Sequence, residues 1–189
     1  MPDHFATLAQ PRRPWLDPEA LRESFQRAAA QQHPDAAGGD ATRFAALNAA
    51  HTLLREPAAR LRHLLELTAP ARLGIAAPIP PALSDLFMEL AGLRRSFESF
   101  QQKESAAASP LRRALLAAEK FALRQILALA LVRLGQAHET ALAELRALDA
   151  AWDTRAPAEL ENLAALQARF AFLAKWSAQL REAVFKLRA

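Results

Sequence analysis

The sequence predicts an all-α fold, and three observations support this. Almost no stretch alternates apolar and polar residues with β-branched side chains, which is the pattern of a half-buried strand. Alanine and leucine dominate the composition, and glycine totals only five. Proline stands at three expected helix starts, at Asp17-Pro18, Ser109-Pro110 and Ala156-Pro157, and proline is favoured at the first helical position.

The composition indicates a packed protein. The chain has 189 residues, of which 52% are hydrophobic, enough for one domain or two small ones and too apolar for disorder throughout. It has no cysteine, which excludes a disulfide scaffold, thiolate metal sites and a cysteine nucleophile. The start lacks the pattern of a secretory signal, and the longest apolar run, from Ile126 to Val132, is far too short to span a bilayer. We therefore expect a soluble, cytoplasmic protein without membrane contact.

Charge and motif content argue against an enzyme. The net charge is +4, and the arginines are interleaved with acidic residues, which is typical of a solvated surface. Binding to nucleic acid is the weakest alternative, and we expect none. No phosphate-binding glycine loop, nucleophile elbow or paired carboxylates appear. His4, His51, His63 and His138 lack metal-ligand spacing, so we expect structural histidines, no metal and no cofactor.

The N-terminal third predicts three helices after a short opening segment. A first helix runs from Pro18 to Gln32, and Asp40 caps a second one that carries Phe44, Leu47 and Leu54. Pro57 removes a backbone donor and should interrupt this helix near Arg55. A further helical piece over 58–67 then follows at an angle.

A change in composition marks a domain boundary. The stretch TAPARLGIAAPIPP, from Thr68 to Pro81, has four prolines and a glycine in 14 residues, which cannot sustain a helix. We therefore predict a domain at 1–70, a proline-rich linker at 71–80 and a helical domain at 81–189.

The C-terminal domain is predicted to be an antiparallel three-helix bundle. Its first helix has an apolar seam at Leu83, Leu86, Leu90, Leu93, Phe97 and Phe100, and its last helix repeats that spacing from Leu163 to Leu187. Between them we expect a helix over about 110–151, roughly 60 Å long. Its segment from Phe121 to Leu134 is apolar nearly all round, which predicts burial between two neighbours.

One tripeptide stands out, His33-Pro34-Asp35. It lies where the first long helix must stop, because the residue before a proline is disfavoured in the α region. Gly38 and Gly39 follow, before the next helix begins at Asp40. The tripeptide could be a functional motif or an ordinary helix-ending turn, and the sequence around it distinguishes the two interpretations.

The sequence resembles the J domain of Hsp70 co-chaperones, more narrowly the HscB type of iron–sulfur cluster assembly. The matching segments are His4-Phe5 with Leu8, Leu16-Asp17 through Phe25-Gln26, Asn48-Ala49-Ala50, the run from Leu54-Arg55-Glu56-Pro57 to Arg60, Leu64-Leu65-Glu66-Leu67 and Phe87-Met88-Glu89. The resemblance implies a J domain, an antiparallel helical hairpin with the His-Pro-Asp loop, followed by the helical bundle.

The family resemblance implies an activator that is not itself an enzyme. His33, Pro34 and Asp35, with Arg22 and Arg27 on the preceding helix, would dock on an HscA-like Hsp70 and stimulate its ATP hydrolysis. Asp35 suits a charge-assisted pair with a partner arginine, Pro34 lowers the ordering cost of the loop, and the arginines supply steering. The expected client is an IscU-like iron–sulfur scaffold protein, and we expect the chain itself to be a monomer.

Two departures from the family support a different reading of the same domain. The family usually has lysine after the tripeptide and more basic residues on the preceding helix, where this chain has Ala36 and only Arg22 and Arg27. The alternative is therefore a J-like adaptor that binds a partner through its bundle without activating an Hsp70.

Phe87 and Met88 are the candidate client-binding residues. They match apolar members of the family's scaffold-binding patch, and the heptad register places them off the buried seam, which predicts an exposed pair. The alternative is that they form the edge of the bundle core. Further positions of the family patch, usually leucine and glutamates, differ here. They are Ala91, Gly92, Arg95 and Ser99.

Overall fold

Helices contain most of the residues that the structure describes. The structure is a computed structural model that describes residues 2–33, 39–73, 81–153 and 156–188. Within these ranges there are seven α-helices, one short 3-10 helix and no strand, so the all-α prediction is confirmed. The elements are α1 (His4–Thr7), α2 (Pro18–Gln32), α3 (Ala41–Arg55), α4 (Pro57–Thr68), the 3-10 helix Pro70–Arg72, α5 (Pro81–Ser105), α6 (Pro110–Ala150) and α7 (Pro157–Lys186).

Aspartate caps and prolines set the helix boundaries where the sequence predicts them. Proline is the first residue of α2, α4, α5, α6 and α7. Oδ1 of Asp17 accepts hydrogen bonds from the backbone amides of Glu19 and Ala20, at 3.0 and 2.9 Å. Asp40 caps α3 in the same way. These caps satisfy amides that have no partner within the first helical turn.

The chain packs as two compact units. The first comprises Met1–Ala77 and Ala141–Ala171, and the second comprises Pro78–Thr140 and Phe172–Ala189. Both α6 and α7 therefore contribute to each unit. The sequence analysis places residues 141–171 in the predicted C-terminal domain, whereas their contacts group them with residues 1–77 in the first unit. The predicted domain boundaries stay a prediction.

In the first unit, α2 and α3 form an antiparallel hairpin. The ring of Phe25 in α2 stacks on that of His51 in α3, with 4.3 Å between centroids. Nearer the loop, the rings of His33 and Phe44 lie 5.2 Å apart, edge to face. Residues early in α2 therefore lie beside residues late in α3, as in an antiparallel pair of helices. The contact also agrees with the structural role expected for His51.

Helix α4 buries two polar side chains beneath the N-terminal segment. Arg60 is 3% exposed and donates hydrogen bonds to the carbonyl oxygens of Pro14 (2.9 Å) and Leu54 (2.7 Å). Burial lowers the pKa of Arg60 to about 10. His63 accepts a hydrogen bond at Nε2 from the backbone amide of His4, at 3.1 Å. The contacts of Arg60 with Pro14 and of His63 with His4 anchor chain segments that lie outside the hairpin.

The end of α6 completes this unit. Oδ1 of Asp149 accepts hydrogen bonds from the backbone amide of Trp15 (3.1 Å) and from Nε of Arg13 (3.2 Å). The guanidinium of Arg146 lies 4.4 Å from the centre of the Trp15 ring, a favourable cation–π arrangement. The irregular segment between α1 and α2 is therefore held by side chains of α6.

In the second unit, α5 runs antiparallel to α6, as ion pairs along the two helices indicate. These pairs are Glu89–Arg133, Lys103–Glu119 and Glu104–Lys120. The predicted α5 seam faces the core at Leu83, Leu90, Phe97 and Phe100, which are buried, whereas Leu86 and Leu93 are half-buried.

The segment from Phe121 to Leu134, predicted to lie between two neighbouring helices, is buried on one side only. Leu123, Leu127, Ala130 and Leu134 are buried on one side of α6. Four large side chains outside this side are 46% to 62% exposed: Phe121, Ile126, Leu129 and Val132. The physical reason is that neighbouring helices cover only one face here. Within the described ranges, no helix is long and apolar enough to cross a membrane.

Candidate functional site

His33 forms the C-terminal boundary of α2. Its backbone leaves the helical region, with φ −58° and ψ 136°, as expected for a residue before proline. Its side chain is exposed, and its ring meets Phe44 edge to face. Pro34 and Asp35, the other predicted members of the tripeptide, and Ala36 lie outside the described residues.

The two ends of the loop that contains the tripeptide are joined. The backbone amide of Asp40 donates a hydrogen bond to the carbonyl oxygen of Gln32, at 3.3 Å. Asp40 also caps α3 through its carboxylate, and these amide hydrogen bonds lower the pKa of that carboxyl. Gln32 and Asp40 therefore lie together at one end of the hairpin.

The predicted basic residues Arg22 and Arg27 do not form one basic face. Both are exposed, but five positions of an α-helix turn them about 140° apart. Arg22 is paired with Glu19, an interaction that raises the pKa of Arg22 and lowers that of Glu19. Glu23 balances Arg27, so α2 has no net charge.

Arg22 is the arginine on the side of His33. Eleven positions separate them, which places the two residues within about 20° around the helix axis and roughly 16 Å apart along it. Arg27, six positions before His33, is turned about 120° away from it. Nε of Arg27 contacts the carbonyl oxygen of Glu23 at 3.5 Å.

Phe87 and Met88 differ in exposure. Met88 is 64% exposed, as the heptad register predicts. Phe87 is half-buried, and its ring lies 6.1 Å from that of Phe172 and 6.2 Å from that of Trp176. Of the predicted exposed pair, Met88 is exposed, whereas Phe87 is half-buried because α7 covers part of its ring.

The α5 positions after Met88 are accessible as well. Arg95 and Ser99 are exposed, and Ala91 and Gly92 are half-buried. A Cβ atom built at Gly92 meets no other heavy atom within 4 Å. The surface therefore has room at Gly92 for a side chain.

Two aromatic residues at these sites were not predicted as site residues. Phe44 was recognised only as an apolar position of its helix, and its contact with His33 depends on how the hairpin closes. Phe172 lies two positions after Phe170 of the α7 seam, and this offset is the signal that could have placed it off the core. Among the described residues, no three His, Asp or Glu side chains are grouped as metal ligands.

Comparisons with known proteins support the architecture. The sequence matches no protein-family model and no curated protein. The structure resembles that of the chaperone HscB from Vibrio cholerae, with a TM-score of 0.57 and 22% sequence identity. The similarity covers 98% of this chain and 99% of that chain. The chain therefore has an HscB-like fold, and the predicted resemblance is confirmed at the level of the fold.

Proposed function

We propose that this protein is an Hsp70 co-chaperone of the HscB type, acting in iron–sulfur cluster assembly. The observation that carries the proposal is the exposed position of His33 at the closed end of the α2–α3 hairpin, in a chain with the HscB fold. A helical hairpin with His-Pro-Asp at its loop is what the J-domain resemblance leads us to expect. The protein supplies a binding surface, and the Hsp70 supplies the ATPase chemistry.

The tripeptide has suitable chemistry for docking. The carboxylate of Asp35 can accept two hydrogen bonds from an arginine of the Hsp70, a charge-assisted arrangement stronger than a neutral pair. Pro34 restricts its own φ and the conformations of His33, so less conformational entropy is lost on binding. The ring of Phe44, in contact with that of His33, limits the movement of His33 and so also reduces the conformational entropy lost on binding.

The ATPase rate of the Hsp70 tests this function. In single-turnover hydrolysis by an HscA-like Hsp70, the protein should accelerate the reaction, and Asp35→Asn should abolish most of the acceleration. Arg124→Ala, which removes an exposed charge on α6, is the matched control and should retain it. No acceleration by the unchanged protein, or acceleration that survives Asp35→Asn, would reject the proposal.

The charge balance of α2 favours one alternative, a J-like adaptor that does not activate an Hsp70. Arg22 forms an ion pair with Glu19, and Arg27 lies on a different side of α2 from Arg22 and His33. Helix α2 therefore offers weak electrostatic steering toward an Hsp70. An adaptor would capture the client but leave the ATPase rate unchanged. The variant Glu19→Gln separates the two functions, since release of Arg22 should increase stimulation by a co-chaperone only.

We also propose that the client binds a surface formed by Phe87, Met88 and Phe172, the Phe-Met surface. Met88 offers a flexible, exposed apolar side chain, and the adjacent residue Phe87 is half-buried with its ring 6.1 Å from that of Phe172. Apolar anchors of this kind give most of the affinity at protein interfaces. The client expected from the HscB resemblance is an IscU-like scaffold protein.

Binding to an IscU-like scaffold tests this surface. Met88→Ala should weaken the complex about tenfold without changing the melting temperature, because the side chain lies mainly in solvent. Phe172→Ala should weaken it too, with a small loss of stability from the lost ring contacts. Lys175→Ala, an exposed change on α7, is the control. Unchanged affinity in Met88→Ala would reject the surface.

A further inference from the structure

A cavity of about 310 Å³ lies in the second unit, where residues of α5, α6 and α7 meet. We call it the α5–α7 cavity. Pockets that bind small molecules have volumes of about 300–1,000 Å³ and a mainly apolar lining. The apolar lining residues here are Phe97 of α5, Leu127 of α6 and Trp176, Leu180 and Ala183 of α7. Each of them is at most 8% exposed, so together they form the inner wall of the cavity.

The inner wall contains two aromatic rings from different helices. They belong to Phe97 and Trp176, and the Trp176 ring also contacts that of Phe87, with 6.2 Å between centroids. Aromatic rings attract one another in edge-to-face and offset arrangements, in addition to the apolar area that they bury. An aromatic ligand therefore suits this wall better than an aliphatic chain of the same volume.

One buried polar atom at the cavity has no hydrogen-bond partner. Gln179 lines the cavity, and its Oε1 is buried without a donor among the residues that the structure describes. Nearly all buried polar atoms in proteins are paired, because an unpaired one costs the full free energy of its desolvation. A ligand with an N–H or O–H group would supply the missing donor.

The rim of the cavity carries charges that cancel. On α5 Arg94 pairs with Glu98, with 3.3 Å between Nε and Oε1. On α7 Lys186 pairs with Glu182, with 2.7 Å between Nζ and Oε1. The four side chains are 49% to 63% exposed, so they lie on the solvent side of the cavity. Because each helix balances its own charge there, electrostatic complementarity favours a neutral ligand over an ion of either sign.

We infer that the α5–α7 cavity binds a free, neutral aromatic molecule of one or two rings that carries one N–H or O–H donor, as a phenol or an indole does. The ring of the ligand would lie against Phe97 and Trp176, and its donor would bond to Oε1 of Gln179. This site goes beyond the proposed co-chaperone function and does not depend on it. The Phe-Met surface contributes none of the described residues that line the cavity.

Indole and indene test the role of Gln179, because they share a two-ring shape and only indole has an N–H group. Isothermal titration calorimetry of the full chain measures the binding of each. The preference for indole over indene should fall about fivefold in Gln179→Met, since a neutral hydrogen bond contributes affinity of that order. Gln136→Met, the same change at an exposed position of α6, should leave the preference unchanged. An unchanged preference in Gln179→Met would overturn the inference.

The variant Ala183→Leu tests where the two molecules bind. Its larger side chain would occupy part of the cavity and should weaken indole binding by about tenfold or more. Ala178→Leu, the same change at an exposed position of α7, is the matched control and should bind indole normally. Thermal unfolding shows whether Ala183→Leu is folded, and if it is not, the comparison with Gln179→Met decides. Unchanged indole affinity in a folded Ala183→Leu would overturn the inference.

Two results with the unchanged protein would also overturn this inference. The first is the absence of saturable binding of indole and of phenol at about 1 mM. The second is loss of indole binding when an IscU-like scaffold protein is added, which would assign the cavity to an aromatic side chain of that protein. We expect indole to remain bound in its presence, whether or not the co-chaperone function is correct.

Discussion

Arg60 of α4 reaches back to the last turn of α3, where its Nη1 donates a hydrogen bond to the carbonyl oxygen of Leu54 at 2.7 Å. Pro57 interrupts the helix at this point and leaves that carbonyl without a partner in a continuous helix. The side chain of Arg60, six residues after Leu54 and the fourth residue of α4, therefore completes the backbone hydrogen bonding at the break.

The first prediction is that Arg60→Met lowers the free energy of unfolding by about 3 kcal/mol. The change keeps most of the apolar volume but leaves the carbonyl oxygens of Leu54 and Pro14 buried without their donor. Urea denaturation followed by circular dichroism measures the loss. Arg62→Met removes a neighbouring exposed arginine and should cost less than about 0.5 kcal/mol. Equal losses in the two variants would contradict this account of Arg60.

The second prediction concerns pH and His51. Burial, with a smaller effect from the positive charge of Arg55, lowers the pKa of His51 below 6.5 in the folded protein. The unfolded chain then binds more protons as the pH falls below 6.5, so protonation favours unfolding there. His51→Phe, which keeps a ring against Phe25, should gain stability relative to the unchanged protein as the pH falls from 8 to 5. If the difference in urea midpoint between His51→Phe and the unchanged protein does not change with pH, this prediction is wrong.

The third prediction is that Gly92→Ala raises the free energy of unfolding by about 0.5–1 kcal/mol. Glycine inside a helix costs backbone entropy relative to alanine, and the new Cβ would meet no heavy atom within 4 Å. Ala91→Gly, the reverse change at the adjacent position, should lower stability by a similar amount. A lower melting temperature of Gly92→Ala would mean that the site is more crowded than described.

The fourth prediction is that Phe44→Ala reduces Hsp70 stimulation about two- to tenfold, since an aromatic contact contributes about 0.5–1.5 kcal/mol. The ring of His33 should also lose the ring-current shift that Phe44 imposes, which proton NMR measures independently of any Hsp70. Thr52→Ala, an exposed change on the same helix, is the control. If Phe44→Ala changes the His33 spectrum but still stimulates the Hsp70 fully, the position of the His33 ring is not needed for stimulation.

Much of the fold was predictable because local chemistry determines it. The start of α2 at Pro18 follows from a capping aspartate and a proline with suitable φ, and the break at Pro57 follows from a missing amide donor. The position of His33 at the end of α2 follows from the proline after it. Each of these signals lies within a few residues of its effect.

The features that were not predicted depend on contacts between distant parts of the chain. Periodicity shows that α6 is apolar around Phe121, but it does not show which faces other helices cover. The half-burial of Phe87 depends on Trp176 and Phe172 in another helix, and their distance from it in the sequence gives no local signal. The grouping of residues 141–171 with the N-terminal helices depends on single contacts such as that of Asp149 with Trp15.

The Asp149 contact has a consequence for synthesis of the protein. Trp15 and Asp149 are 134 positions apart, so the nascent chain emerges from the ribosome with its N-terminal hairpin long before this carboxylate is made. Throughout that interval, Trp15 and Arg13 lack the acceptor that holds them in the finished molecule. During translation, the contact that holds Arg13 and Trp15 would therefore form only after Asp149 has left the ribosome, later than the contacts of Arg60 with Pro14 and of His63 with His4.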